Sequence, residues 1–187
     1  MPLALSRDIA NLVDESEQRD VVLLDSEQDN IPFDRIQCPD LRAIGESWLA
    51  MPRETGQPLP EWKSFRPFDF KRSVEKMCVL SVEDWRADKL EFSLYGSHPT
   101  EFIGLGRPLS MEQLRTDTLR RGYYEDIRDR VGRAVDKNAP QYARKTLSWN
   151  DHGRVEYEVL MLPFTRQERV QRVLQPVSAT VELTESS

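Results

Sequence analysis

Between residues 77 and 183 the hydrophobic period of this chain changes twice. Residues 77–85 are rich in Val and Leu, and in 89–95 Leu90, Phe92 and Leu94 alternate with Glu91, Ser93 and Tyr95, as strands do. Leu119, Tyr123, Ile127, Val131 and Val135 then recur every four residues, the stripe of an amphipathic helix, with Arg120, Arg128, Arg130 and Lys137 read as lying off it. Three β segments follow at 141–149, 154–163 and 170–183, the last broken by Pro176. Turn residues mark the joints: Arg86-Ala87-Asp88, then Asn150-Asp151-His152-Gly153, then Thr165-Arg166-Gln167-Glu168. The order is two strands, a helical middle broken by Gly104, Gly106 and Pro108, and three antiparallel strands.

The N-terminal third reads differently. Residues 1–37 hold nine acidic and three basic side chains, which accounts for the whole net charge of −6 and leaves the body neutral. This stretch is expected to be an acidic, flexible arm with at most one short helix. At 40–51 Leu41, Ile44, Trp48 and Met51 recur at helical spacing, with Asp40 as the expected cap and Met51-Pro52 as the stop. A Pro-punctuated strap at 52–67 follows, in which Trp62 and Phe65 call for burial, and then a short helix around 69–76. The domain reading is thus an arm at 1–37 and one body at 38–183. With 187 residues, one core is expected rather than two.

Local sequence resembles PAS domains. Residues 90–109, LEFSLYGSHPTEFIGLGRPL, are similar to the PAS stretch where the second strand runs into the first helix, with Phe92, Tyr95 and Phe102-Ile103-Gly104 fitting the pattern. Residues 157–177, YEVLMLPFTRQERVQRVLQPV, resemble the paired final strands of stand-alone bacterial PAS proteins. In that group a helix rich in Leu and Trp precedes the sheet, as LRAIGESWLAMP does here, followed by a segment containing Pro and Trp. The resemblance spans about residues 38–180. It implies an α+β fold: a PAS-like five-stranded antiparallel sheet with helices on one face, plus an N-terminal helical extension.

Composition and motifs narrow the function classes. A hydrophobic fraction of 39% with 31% charged residues, and no apolar run near membrane-spanning length, predicts a soluble protein; the N-terminus does not read as a secretory signal, so a cytoplasmic location is expected. A neutral body with an acidic arm argues against nucleic-acid binding. Cys38 and Cys78 form no zinc spacing or disulfide framework, and read as a residue near a helix start and a small core residue. His98 and His152 sit in no nucleophile motif, Gly104-Leu105-Gly106 is half a phosphate-loop pattern better read as a turn, and Glu156 with Glu158 reads as a solvated strand face. No enzymatic activity is expected. The resemblance disfavours two cofactors: a haem-bearing PAS domain would carry a His on the long helix, yet 116–137 has none, and a flavin photosensor would place a reactive Cys in the helical middle.

What remains is binding. The resemblance points to a small-molecule cavity between sheet and helices, lined by Phe92, Leu94, Phe102, Tyr123, Ile127, Tyr157, Val159 and Met161; a packed core explains the same residues without a ligand. Arg144 or Lys145 offers charge to an anion, although strand charges mostly face solvent. The stripe of Leu41, Ile44, Trp48 and Met51 suggests a homodimer interface, with packing on the chain's own sheet as the competing reading. The expected function is a stand-alone PAS-type sensor in signal transduction, a small ligand tuning its association with a separate signalling protein. The alternative is a ligand-free structural adaptor.

Overall fold

Apart from Glu158, residues 157–164 are apolar at both strand parities, and that decides the layering. Tyr157, Val159 and Met161 alternate with Leu160, Leu162 and Phe164, and all six are buried. A strand apolar on both sides must be covered on both. In the computed structural model the described residues are 18–25, 33, 36–87, 89–97, 110–116, 121–149, 153–166 and 169–183. They form an antiparallel sheet between two layers.

The strands are β1 (Gln18–Asp25), β2 (Met77–Asp84), β3 (Lys89–Tyr95), β4 (Gln141–Trp149), β5 (Gly153–Arg166) and β6 (Arg169–Leu183); the helices are α1 (Pro39–Ala50), α2 (Met111–Thr116) and α3 (Arg121–Lys137). The sheet order is β1-β4-β5-β6-β2-β3, every neighbouring pair antiparallel. The five expected strands are therefore present in one α+β unit. A sixth comes from within the stretch expected to be a flexible arm, where Gln18–Asp25 pairs with β4. Phe33 and Ile36 from the same stretch are buried.

Helices lie on both faces rather than one. On the first face α3 and α2 bury Ile127, Val131, Ala134, Met111 and Leu114 against Leu80, Tyr157, Val159, Met161 and Val173. On the second, α1 and the strap bury Leu41, Ile44, Trp48, Leu59 and Phe65 against Val79, Tyr142, Leu160, Leu162, Phe164 and Leu174. The strap is tied down by Thr165, whose backbone N–H donates to the Pro60 carbonyl at 3.0 Å, and by edge-on contact of Trp62 with Phe164, ring centres 5.2 Å apart. In place of the short helix expected around 69–76 there are two separate 3₁₀ turns, Pro67–Phe70 and Val74–Lys76.

Pro176 does not break β6. It sits opposite Met77, the first residue of β2, and the β5–β6 ladder passes from Val159↔Val177 to Leu162↔Leu174 without a named pair between. A proline has no N–H to donate, so it is tolerated where the ladder already skips.

Candidate functional site

The expected cavity residues do not share one face. Ile127, Tyr157, Val159 and Met161 meet on the α3 side, each at most 2% exposed, and Phe92 packs beside them. Leu94 belongs to the opposite side. The β2–β3 register shifts between Val79 and Leu80, so that Val79 pairs with Leu94 while Leu80 pairs with Phe92. The extra residue, Ser93, is a bulge that reverses strand parity, and two side chains two positions apart end on different faces. Ser93 Oγ donates to the Val79 carbonyl at 3.2 Å, which occupies the hydroxyl at the bulge. Phe102 and the Tyr123 side chain lie outside the described residues, as do His98 and His152.

The stripe expected at a dimer interface is covered within the chain. Leu41, Ile44 and Trp48 are nearly or fully buried against the sheet, Met51 is half-buried, and Trp48 Nε1 donates to the Pro163 carbonyl at 3.1 Å. Arg53 stacks over Trp48 at 5.1 Å and donates to the carbonyls of Leu49 (2.8 Å) and Met51 (3.1 Å), closing the helix end. The helix begins at Pro39, with Cys38 at the N-cap position and no side-chain cap, so Asp40 lies in the first turn and pairs with Lys76 instead. The capping acceptor comes from the sheet: Glu158 Oε2 receives the backbone N–H of Gln37 and of Cys38, each at 3.1 Å. Glu158 is 8% exposed, so it is no solvated face. Burial first, then its charge and hydrogen bond, push the Tyr142 hydroxyl well above the ordinary tyrosine range. Arg144, a sequence candidate for holding an anion, stands directly across the ladder from Glu158.

Two further features flank the sheet. The first is polar and enclosed. Arg130, expected to lie off the helix stripe, is 0% exposed. Its position explains this: Ile127, Arg130 and Ala134 are spaced three and four apart, one face of the helix. Arg130 pairs through Nη2 with Asp126 one turn back and donates a hydrogen bond to the Tyr157 hydroxyl, so the buried guanidinium is held between helix and sheet. Burial pushes the Tyr157 hydroxyl up, against the pull of the guanidinium, so the phenol is protonated at neutral pH.

The second is apolar and half-open. On the α1 side the strap stops short of β3, leaving a recess of about 270 Å³. Its floor is Met77, Val79, Leu94 and Leu174, its wall Trp62, Phe65, Pro67 and Val74. Arg172 stands at the rim, held by Ser81 Oγ and Glu83 Oε1, both at 3.0 Å. Leu94 and Val74 remain 40% exposed. Beside the recess runs β3, a terminal strand of the sheet, whose outer edge pairs with no other described strand.

Among the described residues no three His, Cys, Asp or Glu side chains gather at metal-binding spacing, and no helix is long and apolar enough to cross a membrane. No protein-family model, curated protein or solved structure matches the chain.

Proposed function

We propose that this protein is a PAS-type regulatory domain that acts by noncovalent association, its β3 edge and the adjoining recess receiving an extended apolar segment of a separate signalling protein. The PAS assignment is supported by chain order, two strands, helices and then three antiparallel strands, together with the local resemblance at 90–109 and 157–177. The observation that carries the association reading is the recess of about 270 Å³, floored in part by Leu94 and adjoining a terminal strand. An added strand satisfies its backbone along β3 while alternate side chains enter the recess, the usual division between affinity and specificity in strand addition. The α1 stripe is buried within the chain and is not such a surface.

The test is selection of extended peptides from a displayed random library against the full chain, followed by backbone amide mapping. Selected peptides should shift the amides of residues 77–81 and 89–95, and Leu94→Asp should weaken them at least tenfold. Binders that map to α1 or α3, or a Leu94→Asp protein that binds as wild type, would overturn the reading.

A further inference from the structure

We propose that the segment received at the β3 edge carries a large apolar residue followed two positions later by Lys or Arg, the apolar side chain entering the recess and the cation meeting Glu91; this rests on the docking reading above and names the partner's chemistry. The spacing comes from the sheet register. Two rows of side chains cross the α1 face here, Leu174, Val79 and Leu94 in one and Arg172, Ser81 and Glu91 in the next. Because the Ser93 bulge takes up the extra residue of β3, Leu94 and Glu91 face the same side although they stand three positions apart. Val79 and Ser81 on the neighbouring strand are two positions apart, which sets the rows about 7 Å from each other. A regular strand laid on the outer edge of β3 meets the two rows as β2 does, with side chains at i and i+2. Antiparallel to β3, as every neighbouring pair in this sheet is, it brings its recess residue first and its cation second.

The first row is apolar and half-open. Leu94 is 40% exposed beside the recess floor of Met77, Val79 and Leu174, so an apolar side chain placed there removes further apolar surface from water. The second row is charged. Glu91 is exposed, and among the described residues no hydrogen bond or ion pair reaches its carboxylate. The cation of its own row is committed elsewhere, since Arg172 donates to Ser81 Oγ and Glu83 Oε1, and Lys89 stands across from Asp84. Across a ladder an opposite charge is favoured and a like charge repelled, so the incoming residue facing Glu91 is a cation. The position between the two looks to the other face, beside Phe92, and carries no charge requirement.

The experiment selects from the displayed random peptide library against the full chain, Glu91→Gln and Glu91→Lys in parallel, and sequences the three pools. Glu91 is exposed, so neither substitution disturbs the packing. Wild-type pools should share a large apolar residue followed two positions later by Lys or Arg. Glu91→Gln pools should keep the apolar residue and lose the charge preference, and Glu91→Lys pools should turn to Asp or Glu at that position. A peptide from the wild-type pool should bind Glu91→Lys about fivefold more weakly, and replacing its cation by Glu should recover that loss. Pools that share the apolar residue without a cation at that spacing, or a cation preference unchanged in Glu91→Lys, overturn this inference and leave the docking reading standing. Binders that map away from residues 77–81 and 89–95 remove the docking reading, and this inference with it.

Discussion

The Glu158 carboxylate on β5 accepts the backbone N–H of Cys38 at 3.1 Å, so a strand residue supplies the acceptor at the start of a helix 120 positions earlier. Its neighbour Gln37 donates to the same oxygen at 3.1 Å, and Tyr142 bonds the carboxylate from β4. Charge-assisted bonds of this kind, together with the favourable field of a helix N-terminus, fix where α1 enters its layer. A single buried acid thus helps set where α1 begins over its sheet face.

Glu158→Ala should therefore destabilise the protein by about 2–4 kcal/mol, since it strands two backbone donors and the Tyr142 hydroxyl. Glu158→Gln, which keeps an acceptor without the charge, should cost about half as much. Urea midpoints measure both. Equal stability of all three proteins would remove the carboxylate from its capping role.

Trp48→Ala should cost about 3–5 kcal/mol, through the lost ring volume and the lost bond to Pro163. Because the ring is buried within one chain, that loss should not depend on protein concentration. Thermal melts over a hundredfold range of concentration decide between this and an interface role.

Gly96 should accept no side chain. A Cβ there would lie 2.2 Å from the Glu75 carbonyl oxygen and 2.7 Å from that of Met77, both backbone atoms that cannot swing aside. Gly96→Ala is expected to lose about 1–3 kcal/mol or more. Gly56→Ala offers the contrast, since nothing lies within 4 Å and only its φ of +82° opposes the change.

The thiols should differ sharply. Burial pushes the Cys78 thiol from 9.0 up to about 12, the nearby Gly96 N–H pulling weakly the other way, while Cys38 is part-exposed. Cys38 should react with a thiol reagent in the native state and Cys78 only after unfolding. A raised thiol pKa also stabilises the fold fully below the unfolded value, and that stability is lost as pH rises from 9.0 toward about 12. Urea midpoints should begin to fall just above pH 9, and Cys78→Ala should delay that fall until the tyrosines titrate.

Much of this architecture is legible in local pattern, because strand and helix periods are set by residues near in sequence. Alternation places the strand at 89–95 to the residue, and periodicity places α3 and the last three strands within a few positions. Register is not legible. The Ser93 bulge exists only by virtue of pairing with β2, and it moves Leu94 off the face that alternation gives it. The strand β1 likewise needs β4 to form, and its Val21–Leu24 run alone does not announce a distant partner. Two buried charges do carry a signal in the sequence. Glu158 shares strand parity with Leu160 and Leu162, and Arg130 shares a helix face with Ile127 and Ala134, so in each case a charge stands among residues bound for a core. The apolar run through both parities of 159–164 also announces a sheet covered on two sides.

Amide hydrogen exchange on β3 tests the central claim most directly. The full chain is compared with and without a saturating peptide from the displayed library, following residues 89–95. The account predicts slowed exchange at the outward-facing β3 amides together with protection at Val79, and no such slowing in Leu94→Asp. Unchanged β3 exchange beside protection elsewhere would contradict it.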